Sequence, residues 1–145
     1  MNWKYKDVDV LSIPVGSYGF VYEIIYSNGY RYIGKKSFYS IETLSALKSG
    51  IVREGAIRIH KNVKGKRVPY DVIKKESKWK SYTGSCKDPI VKQLKVIRKN
   101  ILGIYPDKIN LTYGEVEHQI LNDVLRKDIY LNSNIAGSFY KGKIL

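Results

Sequence analysis

Tyr22 and Tyr32 are the first residues whose type and spacing suggest chemistry: two phenols, one on each side of a Ser27-Asn28-Gly29 turn. A phenol can donate a hydrogen bond or, once ionised, accept a proton. Its unperturbed pKa near ~10 makes it a poor base unless a metal or cationic side chains depress it. Whether the two can act together depends on the loop between them. With a two-residue Asn28-Gly29 loop, Ser27 pairs with Tyr30 and the phenols fall on opposite faces. With a three-residue loop closed by Gly29 in the left-handed region, Tyr26 pairs with Tyr30 and Ile24 with Tyr32, so Tyr22 and Tyr32 share a face at diagonal positions. We expect the three-residue loop, although a bulge would also rescue the other register. Because the chain holds 13 tyrosines, the pair by itself establishes no activity.

Charge points to a partner. The chain carries 26 Lys and Arg against 13 Asp and Glu, and residues 31 to 99 hold 19 basic and 5 acidic side chains, net +14. A surplus this regional favours a polyanion, and nucleic acid before a membrane surface. Lys35, Lys36, Lys74, Lys75, Lys78 and Lys80 are the candidate phosphate contacts. Cys86 is the only cysteine and His60 and His118 the only histidines, which excludes an internal disulfide and a four-ligand zinc site. No apolar run approaches the ~20 residues that span a bilayer, and no secretory pattern opens the chain, so a reduced, cytoplasmic setting is expected.

The elements that must position these residues read as one domain, 1–145, of α+β class. Tyr18 to Tyr26 and Tyr30 to Lys35 form the hairpin, rich in β-branched and aromatic residues. Ile41 to Lys48 suggests a short helix, and Ala56 to Val63 with Lys66 to Ile73 a basic hairpin around Lys64-Gly65. Pro89 to Asn100, with apolar residues at 90, 91, 94 and 97, predicts a basic amphipathic helix. A second helix is expected from about Tyr113 to Lys127, followed by an extended segment from Asp128 to Asn134. Thr112-Tyr113-Gly114-Glu115 fits a capping box at its start, which would occupy Glu115. On the predicted wheel Glu117 projects into the apolar face of Val116, Ile120, Leu121, Val124 and Leu125, where a carboxylate would need a partner.

Phe20-Val21-Tyr22, followed after nine intervening residues by Tyr32-Ile33-Gly34, resembles the paired signature of the GIY-YIG nuclease superfamily, with Phe-Val where the first half usually has Gly-Ile. The run Glu76 to Ser85 (ESKWKSYTGS), together with Tyr32-Ile33-Gly34-Lys35-Lys36, resembles a phage-encoded, homing-type (Seg-like) endonuclease branch. Tyr113-Gly114-Glu115, Gln119, Asp123-Val124-Leu125 and Asn132 match that branch in order and spacing. The resemblance spans roughly residues 19 to 135.

This resemblance implies a three-stranded antiparallel sheet flanked by helices, with an inserted basic hairpin or loop region. It implies hydrolysis of phosphodiester bonds in double-stranded DNA with one Mg2+ (or Mn2+) ion, in the host cytoplasm for a phage-encoded protein. Tyr32 would be the general base with Tyr22 beside it, Glu115 the metal ligand, and Asn132 a supporting residue; Glu117 is the alternative ligand. The superfamily usually carries an arginine on the helix soon after its second motif, but Ser37 to Ser49 contains none. Arg53 is the leading substitute, with Arg58 and Arg67 as alternatives, whereas strand alternation turns Arg31 away from Tyr32. His60, in the basic region, is the better second proton carrier of the two histidines. The alternative function is a catalytically inactive nucleic-acid-binding domain of the same fold. No separate recognition domain is evident, so specificity would come from loops or from a homodimer.

Overall fold

The computed structural model describes residues 1–145 and resolves two compact units, Met1–Phe38 with Lys78–Leu145, and Tyr39–Ser77. In chain order the first unit contributes strands β1 (Lys4–Tyr5), β2 (Val8–Asp9), β3 (Gly19–Tyr26) and β4 (Arg31–Ser37). The second consists of β5 (Tyr39–Ser45), β6 (Ile57–Val63) and β7 (Lys66–Glu76). The first then resumes with β8 (Val96–Tyr105), helix α1 (Lys108–Leu121), β9 (Asn134–Ile135) and β10 (Phe139–Tyr140). The class is α+β, as expected, but strand-rich with a single α-helix. The flanking helices of the sequence reading reduce to α1 and a short 3-10 turn at Pro89–Gln93.

The sheet of the first unit has the order β2-β1-β8-β3-β4. Its antiparallel centre is β8-β3-β4, a three-stranded arrangement as expected but with a third strand, β8, that begins in the stretch predicted as helix, and β1 adds a parallel partner to β8. The stretch predicted as a basic helix thus ends after one turn, and its remainder becomes β8. Leu94 is already extended at φ −110° and ψ 150°. Helical spacing of 90, 91, 94 and 97 competes here with a β-branched run through Val96, Ile97, Ile101 and Ile104. Pairing on both edges of β8 decides the outcome.

One face of this sheet packs Val21 and Ile33 against Leu111, Val124, Leu125, Tyr130 and Ile135. The residues alternating with them, Phe20 and Tyr22, join Trp3, Phe38 and Trp79 in an aromatic cluster, in which Phe38 and Trp79 meet edge to face at 5.0 Å between ring centres. Trp79 is fully buried there, and its carbonyl accepts a 2.7 Å hydrogen bond from the Trp3 indole, so it packs a loop against the core.

Helix α1 begins five residues earlier than predicted for its first turn. Asp107, not Thr112, is its N-cap, accepting from the Asn110 amide at 2.8 Å. Thr112 lies inside the helix and donates to the Lys108 carbonyl at 2.9 Å. The helix also ends at Leu121 rather than Lys127, so Val124 and Leu125 leave the wheel and Leu111 joins it: Leu111, Gly114 and Gln119 face inward, with Glu115 half-buried beside them. Ile120 and Leu121 are exposed, as is Glu117. The predicted capping box is therefore absent and the Glu115 carboxylate is free for another role.

The second unit is a three-stranded antiparallel sheet, β5-β7-β6. The predicted short helix at Ile41 to Lys48 is instead mostly β5: its Glu, Leu, Ala and Lys content favours a helix, but seven residue pairs with β7 override that weak local preference. The basic hairpin forms as predicted around Lys64 and Gly65, both at positive φ. At its base the buried Asp71 accepts from the Arg58 guanidinium at 2.8 Å and from that of Arg53 at 3.1 Å, which holds the Asp71 carboxyl below its ordinary pKa.

Candidate active site

The first hairpin has the register that unites its tyrosines. Ile24 pairs with Tyr32, Tyr26 and Gly29 close a three-residue loop through a 2.9 Å hydrogen bond, and Gly29 supplies the positive φ of 87° that the turn requires. Tyr22 pairs with Gly34, so Tyr22 and Tyr32 lie diagonally on one face with ring centres 6.4 Å apart. Glycine at 34 is a steric requirement, because a Cβ there would come within 2.5 Å of the Tyr22 hydroxyl.

Ser85 links the two phenols. Its Oγ lies 3.4 Å from the Tyr22 hydroxyl and 3.4 Å from that of Tyr32, while its backbone N–H donates to Tyr22 at 3.3 Å. The two rings differ in surroundings. Tyr22 is fully buried, which drives its phenol far above the ordinary pKa and keeps it protonated. Tyr32 is half-buried at the mouth of a cleft; burial raises its phenol too, the nearby Glu115 carboxylate raises it further, and the Ser85 hydrogen bond opposes both.

That cleft, about 560 Å³, joins Tyr32 and Glu115 in one wall-to-wall space with Ser85, Lys87, Asp88 and Asn132. Glu115 reaches it from the third turn region of α1. Burial raises its carboxyl pKa, and Lys35, 3.8 Å away, pulls the other way. Lys35 is itself anchored by a 2.9 Å bond to Thr112.

Asn132 acts through backbone. Strand β4 is the sheet's edge, and the segment 129–132 lies along it: Arg31 N–H donates to the Ile129 carbonyl and Leu131 N–H to that of Arg31, both at 2.8 Å. At the next step the Asn132 side chain replaces a strand, accepting from Ile33 N–H at 3.1 Å and donating to the Ile33 carbonyl at 2.8 Å. Gln119 from α1 donates to the same carbonyl at 3.1 Å. Both amides are buried and together they lock the residue next to Tyr32. Replacing Asn132 with Ala leaves the Ile33 N–H unpaired, and urea unfolding is expected to show a loss of about 1–3 kcal/mol. A shift below ~0.5 kcal/mol, the range of surface substitutions, would remove this role.

Residues 3–135 match the family described as Putative endonuclease segE, GIY-YIG domain. The chain belongs to this family. No curated protein matches it, and no solved structure does. Phe20-Val21-Tyr22 and Tyr32-Ile33-Gly34 therefore stand as the two halves of a GIY-YIG signature, paired across β3 and β4 by the register above.

The remaining expected residues fall elsewhere in the GIY-YIG chain. Arg53 and Arg58 belong to the second unit and are both engaged by Asp71; Arg67 lies near the tip of the β6–β7 hairpin, and His60 is exposed on β6. No arginine of the first unit lines the cleft, whose cationic lining from that unit is Lys87, with Lys35 beside Glu115. Arg31 is held by Glu23 at 3.2 Å, turned from Tyr32 as alternation requires. Of the candidate phosphate contacts, Lys36 sits 4.7 Å over the Tyr82 ring, Lys78 and Lys80 are exposed, Lys74 lies over Tyr39, and Lys75 pairs with Glu42. Glu117, the alternative ligand, is exposed outside the cleft. The linking role of Ser85 between the two phenols, Lys87 and the locking role of Gln119 were not evident from sequence, since contacts between residues distant in the chain carry no periodic signal.

The donor chemistry of the cleft fits a hard divalent cation. One half-buried carboxylate, Glu115, faces a space that also contains Asp88 and hydroxyl and amide oxygens, all oxygen donors. No group of three or more His, Cys, Asp or Glu converges there, so most ligands of such an ion would be water and phosphate oxygens. No helix is long and apolar enough to cross a membrane.

Proposed function

We propose that this GIY-YIG protein is an endonuclease that hydrolyses phosphodiester bonds in double-stranded DNA. The observation that carries this reading is the convergence of Tyr32 and Glu115 on one cleft, with the Tyr32 hydroxyl tethered to Tyr22 through Ser85. Glu115 would hold one Mg2+ or Mn2+, which when bound supplies Lewis-acid stabilisation of charge growing on the phosphate. Tyr32 orients the attacking water and, ionised, takes its proton as the water oxygen bonds to phosphorus and a bridging P–O bond breaks. Tyr22, held protonated by burial, serves as a fixed hydrogen-bond partner and not as a base. Lys35 and Lys87 supply positive charge where the family usually has arginine.

The test is cleavage of supercoiled plasmid with Mg2+. The reading expects nicked and linear products from the wild-type chain and none with chelator present. Binding without cleavage would support the second reading, an inactive DNA-binding domain, which the lack of an arginine from the cleft's own unit favours.

Ser85 is a positioning residue in this scheme. Ser85→Ala is expected to lower kcat about tenfold, ~1.4 kcal/mol, with little change in KM. Because the Ser85 hydrogen bond lowers the Tyr32 pKa, its removal moves the alkaline rise of the pH–rate profile to higher pH. Ser85→Thr should restore both. An unshifted profile in the alanine variant would limit Ser85 to packing.

A further inference from the structure

The β6–β7 hairpin extends beyond the sheet that supports it. Strand β5 pairs with β7 only from Tyr70 to Glu76, whereas β6 pairs with β7 from Val72 back to Lys66. Four residue pairs, His60 with Pro69 through Val63 with Lys66, therefore form a two-stranded ribbon with no third strand. At ~3.4 Å per residue it is about 14 Å long. Its residues from His60 to Arg67 are exposed.

Its composition differs from that of the supporting sheet. Residues 57–70 contain five Lys and Arg and no Asp or Glu. At the base, basic groups are neutralised: Asp71 holds Arg53 and Arg58, and Glu42 holds Lys75. On the ribbon Lys64, Lys66 and Arg67 make no ion pair, and Lys61 has only the Tyr70 ring, 5.4 Å away. An isolated hairpin is marginally stable in water, and four uncompensated cations destabilise it further by mutual repulsion. A polyanion would relieve that repulsion.

The two faces of the ribbon differ. The register sets Asn62 directly opposite Arg67, so both project from one face with His60 beside them. Neither Asn62 nor Arg67 forms a side-chain hydrogen bond or ion pair within the protein. The B-DNA major groove, about 12 Å wide, admits a two-stranded ribbon, and there arginine pairs with guanine and asparagine with adenine through two hydrogen bonds each.

We propose that the β6–β7 ribbon is the sequence-reading element of this protein, entering the DNA major groove with Asn62 and Arg67 on base edges and Lys64, at the turn, on a flanking phosphate. Lys61 and Lys66 project from the opposite face and reach the phosphates along the groove walls. This rests on DNA being the substrate but not on cleavage. Sequence preference then comes from the inserted unit, independently of the cleft that performs hydrolysis.

The test selects bound sequences from a random double-stranded DNA library with the full chain carrying Tyr32→Phe, and repeats the selection with Asn62→Ala and Arg67→Ala added. The parent is expected to enrich a short motif containing G and A. The added substitutions should lose about tenfold or more of the preference for that motif, while binding to random DNA loses only the share of one cation, a salt slope smaller by about 1, and Tm stays nearly unchanged. Lys64→Ala with Lys66→Ala should instead weaken binding to all sequences alike and reduce the salt slope by about 2. The same motif selected with and without Asn62 and Arg67, or no motif from a parent that binds DNA, would overturn the inference. So would failure to bind DNA, or tighter binding to RNA hairpins in competition. Motif selection by a chain whose wild type never cuts would sustain this inference and end the endonuclease reading; cutting with an unaltered preference in the ribbon variant would do the reverse.

Discussion

Glu115→Gln is expected to lower single-turnover cleavage of supercoiled plasmid in Mg2+ by about 1,000-fold, ~4 kcal/mol of transition-state stabilisation. The substitution preserves shape and hydrogen-bonding reach, so the helix that carries it should be undisturbed. It removes the only helix carboxylate lining the cleft. The ion pair it breaks with Lys35 spans 3.8 Å and is partly exposed, so little stability is lost with it. The sign of the stability change is the opposite of the usual ion-pair case. Burial raises the Glu115 carboxyl pKa in the folded state, so its ionised form opposes folding above that pKa, and glutamine relieves the opposition. The variant should be as stable as the wild type at neutral pH or slightly more so. Added Mn2+ should raise the Tm of the wild type and leave the variant unmoved, a readout independent of cleavage. In the wild type, protons compete with the cation for a carboxylate whose pKa is raised. Activity at subsaturating Mg2+ should therefore fall as pH falls through that value, and more Mg2+ should move the fall to lower pH. Cleavage by Glu115→Gln within tenfold of wild type would remove Glu115 from the site, and the same loss in Glu117→Gln would transfer the role to its neighbour.

The parts of this molecule legible from sequence are those whose signals are local. A turn at Ser27-Asn28-Gly29 and a second hairpin at Lys64-Gly65 between β-branched runs lie where the residues indicate, and of the two loop lengths that Asn28-Gly29 allows the fold takes the three-residue one. Position within the family signature carried Tyr22, Tyr32, Glu115 and Asn132 into one unit, and all but Tyr22 line the same cleft. Elements settled by distant partners were not legible. Residues 41–48 include the helix formers Glu42, Leu44, Ala46 and Lys48, yet 41–45 become strand because β7 pairs with them, and the helical apolar spacing of 90, 91, 94 and 97 gives way to strand from Val96 because β3 pairs along it and β1 joins at Asn100. The bounds of α1 had the largest consequence: the predicted apolar face ran through Val124 and Leu125, which lie beyond the helix, and lacked Leu111, which lies near its start. That face set Glu117 inward, whereas the fold exposes Glu117 and half-buries Glu115. Arg53 and Arg58 illustrate the same limit: nothing in their spacing reveals that one buried aspartate, Asp71, engages both.

Tyr32→Phe separates chemistry from structure most cleanly. It is expected to reduce the cleavage rate by about 100- to 10,000-fold, the usual range for loss of a general base, with DNA binding unchanged. The ring remains against Tyr22, and the hydroxyl gives up only a 3.4 Å contact with Ser85 at an exposed site, so stability should move by less than ~0.5 kcal/mol. The wild-type rate should climb with pH, because burial and Glu115 hold the Tyr32 phenol above its ordinary pKa and each unit of pH below that value leaves tenfold less of it ionised. In the phenylalanine variant that dependence should vanish. Tyr22→Phe supplies the contrast. Its hydroxyl is buried and bonded to the Ser85 Oγ and N–H, so the cost should appear in unfolding, about 1–3 kcal/mol, with a smaller loss of rate and the pH dependence retained. If Tyr22→Phe slowed cleavage more than Tyr32→Phe, or if Tyr32→Phe kept the wild-type pH dependence, the proton would have to leave by another group.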